Sequence, residues 1–151
     1  VENLRDVNVE DLLGRTPVEP IPSLMDKCIK EKVVLVTGAG GSIGSELCRQ
    51  IIKLSPKKLI LMDSSEFSLY SIHKELLGPS QVDPTNTIVP VIGNVLNDAL
   101  LGDIISTHKV DTIYHAAAYK HVPLVEQNIV EGVRNNVLGT YCLFNFIFTR
   151  L

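Results

Sequence analysis

The chain has 151 residues, of which 45% are hydrophobic and 21% charged, and its formal net charge is −3. Domains run to roughly 100–150 residues, so this length holds one sizeable core and excludes a (β/α)8 barrel or a catalytic domain joined to a substrate domain. The charged residues form no basic stripe, which argues against nucleic acid as a partner. The cysteines Cys28, Cys48 and Cys142 have no metal-ligand spacing, so we expect a reducing compartment and no bound metal.

The first thirty residues differ in composition from the rest. Residues 16–22 contain three prolines, so we interpret 1–30 as an N-terminal arm or linker and 31–151 as the folded half-domain. No apolar run approaches the roughly 18–20 residues of a membrane span, and the start lacks the apolar stretch of a signal peptide. As given, the sequence is expected to be a soluble, cytoplasmic chain that makes no membrane contact.

From residue 31 onward, short aliphatic runs alternate with longer amphipathic ones, a pattern typical of βα units in a parallel sheet. Strands are predicted at 33–36, 58–62, 88–92 and 110–115, and helices at 42–53, 66–77 and 97–107. Pro90 favours an edge position for the third strand, because proline donates no ladder hydrogen bond. The predicted fold class is α/β, a partial Rossmann-like parallel sheet of about four βα units with helices on both faces.

A last helix is predicted to begin at Val122 or Pro123. Its apolar residues recur at every fourth position, at Val125, Ile129, Val133, Val137 and Tyr141. Such a stripe normally faces a hydrophobic core.

A glycine-rich string lies between the first predicted strand and its helix. Residues 37–44 read TGAGGSIG, with the G-x-x-G-x-x-G spacing of a dinucleotide-binding loop. In that interpretation Gly38 allows a tight turn, Gly41 lets the backbone approach a pyrophosphate, and Gly44 lets the helix pack closely on the strand. The alternative is a flexible turn without a ligand, which this many glycines would make costly in stability. Walker-type phosphoryl chemistry is disfavoured, because Ser42 stands where that motif needs lysine.

Asp63 ends the second predicted strand, 19 positions after Gly44. A carboxylate at this point accepts hydrogen bonds from the ribose hydroxyls of an adenosine and repels a 2′-phosphate. No Arg or Lys follows in the Ser64-Ser65-Glu66 turn, so NAD is favoured over NADP. The alternative role for Asp63 is a helix cap, and the two roles are compatible.

Together with the glycine loop, three further stretches resemble the extended short-chain dehydrogenase/reductase superfamily. Within it they are most similar to the bacterial polysaccharide-biosynthesis nucleotide-sugar dehydratases of the UDP-N-acetylglucosamine 4,6-dehydratase type. The stretches are 62–66 (MDSSE), 115–126 (HAAAYKHVPLVE) and 135–140 (NNVLGT). The Lys-His-Val-Pro run at 120–123 is the most family-specific. Residues 5–19 also resemble the segment that precedes this domain in long, membrane-anchored members, which lie at the cytoplasmic face of the inner membrane.

The resemblance implies roles toward bound NAD. The pyrophosphate would be held by Gly38, Gly40, Gly41, Ser42, Ile43 and Gly44. Asp63 and Ser64 would bind the adenosine ribose, and Asn94 and Val95 would lie beside the adenine, although the family usually has Asp at position 94. The nicotinamide half would be lined by Ala116, Ala117 and Ala118, and Lys120 would reach the cofactor.

The resemblance also implies the reaction. These enzymes are lyases that remove water from a nucleotide sugar while bound NAD is reduced and reoxidised within each turnover. His121 and Glu126 are candidates on the side of the substrate, here a UDP-N-acetylhexosamine, and Asn135 or Asn136 would bind backbone or cofactor. The family's catalytic residues follow a fifth strand, so we assign no catalytic residue and expect the 151 residues alone to be inactive.

Other interpretations stay open: a sugar-nucleotide epimerase, a non-catalytic NAD-binding module, or a truncated remnant, which the Phe-rich tail 144–151 favours. Tyr70 and Lys74 have the Tyr-x-x-x-Lys spacing of the superfamily's catalytic pair, but they follow the second strand on the adenosine side, so we interpret them as surface residues. An unpaired fourth strand and the apolar tail favour self-association into a homo-oligomer.

Overall fold

A computed structural model of the chain describes residues 21–78 and 87–148. The strands are β1 (Val33–Thr37), β2 (Lys58–Asp63), β3 (Ile88–Ile92) and β4 (Thr112–His115). The helices are α1 (Pro22–Ile29), α2 (Ser42–Lys53), α3 (Glu66–Leu77), α4 (Asp98–His108), α5 (Val122–Gln127), α6 (Ile129–Val133) and α7 (Gly139–Phe148), with a π-helical turn (Arg134–Leu138) between the last two. The resemblance of residues 5–19 to longer family members lies outside the described residues.

The four strands form one parallel sheet in the order β3-β2-β1-β4. This confirms the predicted fold class, and it places β3, with its Pro90, at an edge as expected. The chain adds β2 and β3 on one side of β1 and then crosses to add β4 on the other. Open α/β sheets bind ligands at such a reversal point, outside the carboxyl ends of the strands. Here that crevice lies between the ends of β1 and β4.

Both faces of the central strands are covered, which explains why their sequences are unbroken aliphatic runs. Val34 and Val36 of β1 belong to a core completed by α1, α2 and α3. Leu35 of β1 points to the opposite face, where Leu101 of α4 and Leu143 of α7 pack. Each fully buried aliphatic side chain stabilises the fold by about 1.5–3 kcal/mol.

Helix α1 falls within residues 1–30, the segment interpreted as an arm. Its Ile29 is completely buried in the core. The backbone carbonyl of Cys28 accepts a hydrogen bond from Oγ1 of Thr112 at 2.8 Å, which ties the helix to β4. The packed part of the chain therefore includes the end of the predicted arm. Within 21–78 and 87–148, none of the helices has both the length and the apolar character needed to cross a membrane.

The prediction of one continuous last helix is wrong. The chain breaks at Asn128, between α5 and α6, where the Asn128 side chain donates from Nδ2 to the Leu124 carbonyl at 2.9 Å. The helix then widens into the π-helical turn before α7 begins at Gly139.

The apolar stripe on these helices points away from the core, contrary to expectation. Its exposed members are Ile129, Val133, Val137 and Tyr141, at 64%, 49%, 57% and 59% exposure. Around the π-helical turn the inward positions carry small or polar residues instead, because the helix there lies very close to the rest of the fold: a Cβ on Gly139 would stand 2.6 Å from Cγ2 of Val95. The apolar residues are left on the outer surface as a result.

Candidate cofactor and substrate site

The turn that follows β1 accepts only glycine at its first position. Gly38 has φ +67°, in the left-handed region, and an added Cβ would lie 2.6 Å from the backbone nitrogen of Ala117. The turn is thus in direct contact with the segment that leaves β4. This contact closes the base of the crevice between the two strands.

Helix α2 begins at Ser42 with its N-terminus open toward the crevice. Its N-cap, Gly41, supplies no side-chain hydrogen bond, so the N-cap side chain leaves the first backbone N–H groups of the helix available to a ligand. A Cβ on Gly44 would overlap the carbonyl oxygen of Gly38, so glycine allows the helix to approach the loop. An uncapped helix N-terminus carries positive dipole density and is suited to bind an anion such as a pyrophosphate.

The carboxylate of Asp63 holds the glycine loop and the next turn together. Its Oδ2 accepts from the backbone N–H of Gly40 at 2.8 Å, and its Oδ1 accepts from the backbone N–H of Ser65 at 2.8 Å. Ser65, rather than Asp63, caps α3 by accepting from the N–H of Ser68. Each carboxylate oxygen has two acceptor positions, so Asp63 retains capacity for two further donors.

The smaller of two cavities at the switch point has a volume of about 180 Å³. Ten of the predicted site residues line it: Gly38, Gly41, Asp63, Ser64, Asn94, Val95, Ala116, Ala117, Ala118 and Asn135. Met62, Gly93 and Tyr119 complete its wall. The Asn94 side chain already accepts the Leu96 N–H through Oδ1 at 2.9 Å, so its amide oxygen is oriented by its own turn.

A larger cavity of about 600 Å³ continues from the first. The predicted site residues on its wall are Gly41, Ser42, Ile43, Ala116, Ala118, Lys120 and His121. The remaining lining comes from Tyr119, from Leu124 and Val125 of α5, from Asn128 between the helices, and from Glu131 and Gly132 of α6. The two cavities share the lining residues Gly41, Ala116, Ala118 and Tyr119.

Three residues predicted to bind the pyrophosphate or the substrate line neither of these cavities. Gly40 is packed against Ser68 of α3, and Gly44 lies under Gly38. Both glycines therefore shape the loop from the side that faces the protein, and not from the side that is open to the crevice. Glu126 is exposed on α5 and is not brought to the site. Tyr119, Asn128 and Glu131 line the cavities but were not predicted. Tyr119 is the residue before Lys120 and the family-specific run, and this position could have indicated it.

Asn136 fixes the loop that carries Tyr119 and Lys120. Its Oδ1 accepts from the Tyr119 N–H at 2.9 Å, and its Nδ2 donates to the Tyr119 carbonyl at 3.0 Å. The neighbouring Asn135 donates from Nδ2 to the same Oδ1 at 3.0 Å and lines the smaller cavity. Of the two predicted possibilities, the structure therefore places Asn136 on backbone and Asn135 at the cleft.

Tyr70 and Lys74 lie on α3 and line neither cavity. The ammonium of Lys74 sits 5.9 Å from the centre of the Tyr70 ring, and Tyr70 is 59% exposed. The two side chains contact each other at the protein surface.

The sheet order, the glycine loop and the crevice between β1 and β4 define a Rossmann-type domain. The crystal structure of UDP-glucose-4-epimerase from Stenotrophomonas maltophila with bound NAD and formylated UDP-arabinopyranose superimposes with a TM-score of 0.65. The match covers 77% of this chain and 33% of that one at 22% identity, which shows that the two share the fold.

Residues 34–149 match the family described as polysaccharide biosynthesis protein, and the chain belongs to this family. It is 50% identical to the capsular polysaccharide biosynthesis protein CapD of Staphylococcus aureus over 140 residues, 93% of this chain and 23% of CapD. It is 28% identical over 118 residues to the UDP-N-acetylglucosamine 4,6-dehydratase (inverting) of Campylobacter jejuni, covering 78% of this chain and 33% of that enzyme. The chain thus spans 23% to 33% of the length of these two relatives, and its relatives include nucleotide-sugar 4,6-dehydratases.

Proposed function

We propose that this chain is the NAD-binding portion of a nucleotide-sugar 4,6-dehydratase that acts on a UDP-N-acetylglucosamine-like substrate in capsule or O-antigen polysaccharide synthesis. The observation that carries the proposal is the junction of the two cavities at Gly41, Ala116, Ala118 and Tyr119. A dinucleotide lying in the smaller cavity would direct its nicotinamide end toward the larger one. The larger cavity would then present a sugar to that end.

The residues of the smaller cavity fit NAD. The open N-terminus of α2 provides N–H donors for the pyrophosphate, and a side chain at Gly38 would collide with the backbone at Ala117. Asp63 has free acceptor positions for ribose hydroxyls, and its negative charge disfavours the 2′-phosphate of NADP. The S. maltophila epimerase, which shares the fold, is described with bound NAD.

The larger cavity has a mostly apolar wall with a few polar groups that could hold a charged, hydroxyl-rich molecule. Lys120 offers a cation for a diphosphate, while Asn128 and Glu131 offer hydrogen-bonding groups for sugar hydroxyls. His121 extends the polar wall on the side of the loop. When bound there, NAD would supply reversible hydride acceptance, and the residues of the chain would hold the cofactor and the sugar against each other.

We further propose that the acid–base residues of the reaction are supplied from outside these 151 residues. The sequence holds one Tyr-x-x-x-Lys, at Tyr70 and Lys74, and this pair lines neither cavity. The chain is accordingly the cofactor-binding part of a lyase, acting in the cytoplasm and, in a longer parent protein, at the cytoplasmic face of the membrane.

Titration calorimetry with NAD and NADP tests the cofactor assignment. We expect NAD to bind and NADP to bind more weakly, and Asp63→Arg to reverse the preference. Asp103→Arg, an exposed change on α4, controls for added positive charge. Absence of binding by either dinucleotide would refute the NAD-binding role.

The reaction is tested by product analysis. Incubation of the chain with NAD and UDP-N-acetylglucosamine should give no product, and turnover by the chain alone would overturn the proposed division of roles. The same incubation with a full-length relative such as CapD should give a 4-keto-6-deoxy sugar. If the full-length relative gives a 4-epimer instead, the epimerase alternative is favoured. If the full-length relative binds NAD but gives no product, a non-catalytic module is favoured.

We also propose that two copies of the chain associate through the exposed stripe of α6 and α7. The stripe is a row of residues four apart, and such rows on two copies interdigitate. Glu131 and Arg134 form a 3.1 Å ion pair on the same segment, so each copy offers both charges to a two-fold partner. Val133→Glu should therefore give a monomer in sedimentation velocity, whereas Ile92→Glu, at an exposed residue of β3, should not. Monomeric wild-type chain, or loss of dimer by both variants, would contradict this interface.

A further inference from the structure

His115 connects two parts of the cofactor crevice that are far apart in the sequence. Its Nδ1 lies 2.6 Å from Oγ1 of Thr37, the last residue of β1. Its Nε2 lies 3.1 Å from Oγ1 of Thr140, in the first turn of α7. The imidazole therefore bridges the strand that carries the glycine loop and the helix that follows the π-helical turn.

The hydrogen-bond directions in this bridge follow from its last member. Thr140 donates its hydroxyl proton to the Asn136 carbonyl at 2.7 Å, so toward His115 it can only accept. Nε2 of His115 must then carry a proton and donate it. In the neutral imidazole Nδ1 is an acceptor, and the Thr37 hydroxyl, which is fully buried, donates to it. Desolvation lowers the pKa of His115, which favours this neutral form.

The chain of hydrogen bonds ends at a residue that already positions the site. Asn136 holds the Tyr119 backbone from both sides, and Asn135, one residue earlier in the π-helical turn, lines the smaller cavity. At its other end Thr37 precedes Gly38, the residue whose turn touches Ala117. The glycine loop and the π-helical turn are therefore connected by hydrogen bonds through the imidazole ring of His115.

We propose that His115, protonated at Nε2, is a positioning residue that holds the glycine loop and the π-helical turn at a common spacing for the dinucleotide. His115 itself lines neither cavity and acts through its hydrogen bonds to Thr37 and Thr140. The inference rests on the proposed NAD binding for its functional consequence. The bridge itself stands on the geometry alone.

A double-mutant cycle with Thr37→Val and Thr140→Val tests the coupling, since each change removes one hydroxyl at nearly constant volume. One such hydrogen bond contributes about 1 kcal/mol, so each single variant should weaken NAD about fivefold. The double variant should weaken NAD by less than the product, because either change already breaks the bridge. In a His115→Phe background Thr140→Val should have no further effect. Thr107→Val, which removes an exposed hydroxyl of α4, is the matched control and should leave affinity unchanged.

Two results would overturn the inference while leaving NAD binding intact. One is a cycle in which the two effects multiply irrespective of residue 115. The other is a melting temperature that falls in these variants while NAD affinity stays unchanged, which marks a purely structural role. ¹⁵N NMR of the imidazole at pH 8 judges the bridge without any ligand: we expect the Nε2–H tautomer, and an Nδ1–H tautomer would refute it. Wild-type chain that shows this tautomer and binds no NAD would instead refute the proposed function and the positioning role that rests on it.

Discussion

The backbone N–H of Gly40 donates to Oδ2 of Asp63 across 2.8 Å, joining the glycine loop to the end of β2. The carboxylate thereby shapes the glycine loop without any ligand. Under the proposed function, both the choice of dinucleotide and the conformation of the loop would depend on this side chain.

Replacing Asp63 with Asn should affect both properties. The amide has one acceptor oxygen, so the N–H of Gly40 or of Ser65 loses its partner and faces the NH2 group. A hydrogen bond to a charged group contributes about 1.5–3 kcal/mol, so NAD affinity should fall at least about tenfold in calorimetry. The ratio of NAD to NADP affinity should fall as well, since the repelling charge is gone. Asp103→Asn on α4 should change neither value, and a variant that keeps wild-type selectivity would remove Asp63 from the ribose site.

Alanine at Gly41 and at Gly44 should separate binding from folding. A Cβ on Gly44 overlaps the Gly38 carbonyl, so Gly44→Ala should lower the free energy of unfolding by about 2–3 kcal/mol. A Cβ on Gly41 meets the Gly38 oxygen at 3.3 Å and otherwise points to open space in the crevice. Gly41→Ala should therefore fold with nearly unchanged stability in urea denaturation and yet bind NAD at least about tenfold more weakly. Equal loss of stability in both variants would show that the crevice does not face Gly41.

The three cysteines should differ strongly in reactivity. Cys28 is exposed, whereas Cys48 is fully buried and burial raises the pKa of its thiol to about 12. The pKa of Cys142 is also raised, first by burial and then by Asp98. With iodoacetamide at pH 8, peptide mass spectrometry should find Cys28 modified first and Cys48 at least about a hundredfold more slowly, because the thiolate is the nucleophile. Urea should abolish the difference; rapid labelling of Cys48 in the folded chain would place it outside the core.

Stability should decline on mild acidification through His115. Its pKa is lowered in the folded chain by desolvation, so between that value and the ordinary value of about 6.5 the unfolded chain binds more protons. The contribution of His115 is therefore complete above about pH 6.5 and is lost as the pH falls through its folded-state pKa. Urea unfolding between pH 8 and 5 should show this slope, and His115→Gln should flatten it. Thr107→Val, on α4, changes no titratable group; it is the control and should leave the slope unchanged.

Much of the fold could be predicted because the strands of this sheet are continuous aliphatic runs, and Pro90 marked its edge. The orientation of the last helices could not, because periodicity reports which residues share a face but not which side of the helix meets the protein. Gly132, Asn135 and Gly139 face inward because small side chains allow close approach, and that depends on neighbours such as Val95. The same distinction holds for the site. The residues of the glycine loop could be predicted because their spacing is a local pattern. The bridge from Thr37 to Thr140 could not, because it spans 103 positions and has no local signature.

Because of Pro90, the two edges of the described sheet differ in their capacity to pair with another strand. Along β3 the proline removes one backbone donor and its ring obstructs a neighbour, so that border resists pairing with another strand. Along β4, residues 112–115 carry no proline and retain their outer N–H and C=O groups. The edge beside β4 is therefore the one free of proline, and it lies next to the crevice between β1 and β4.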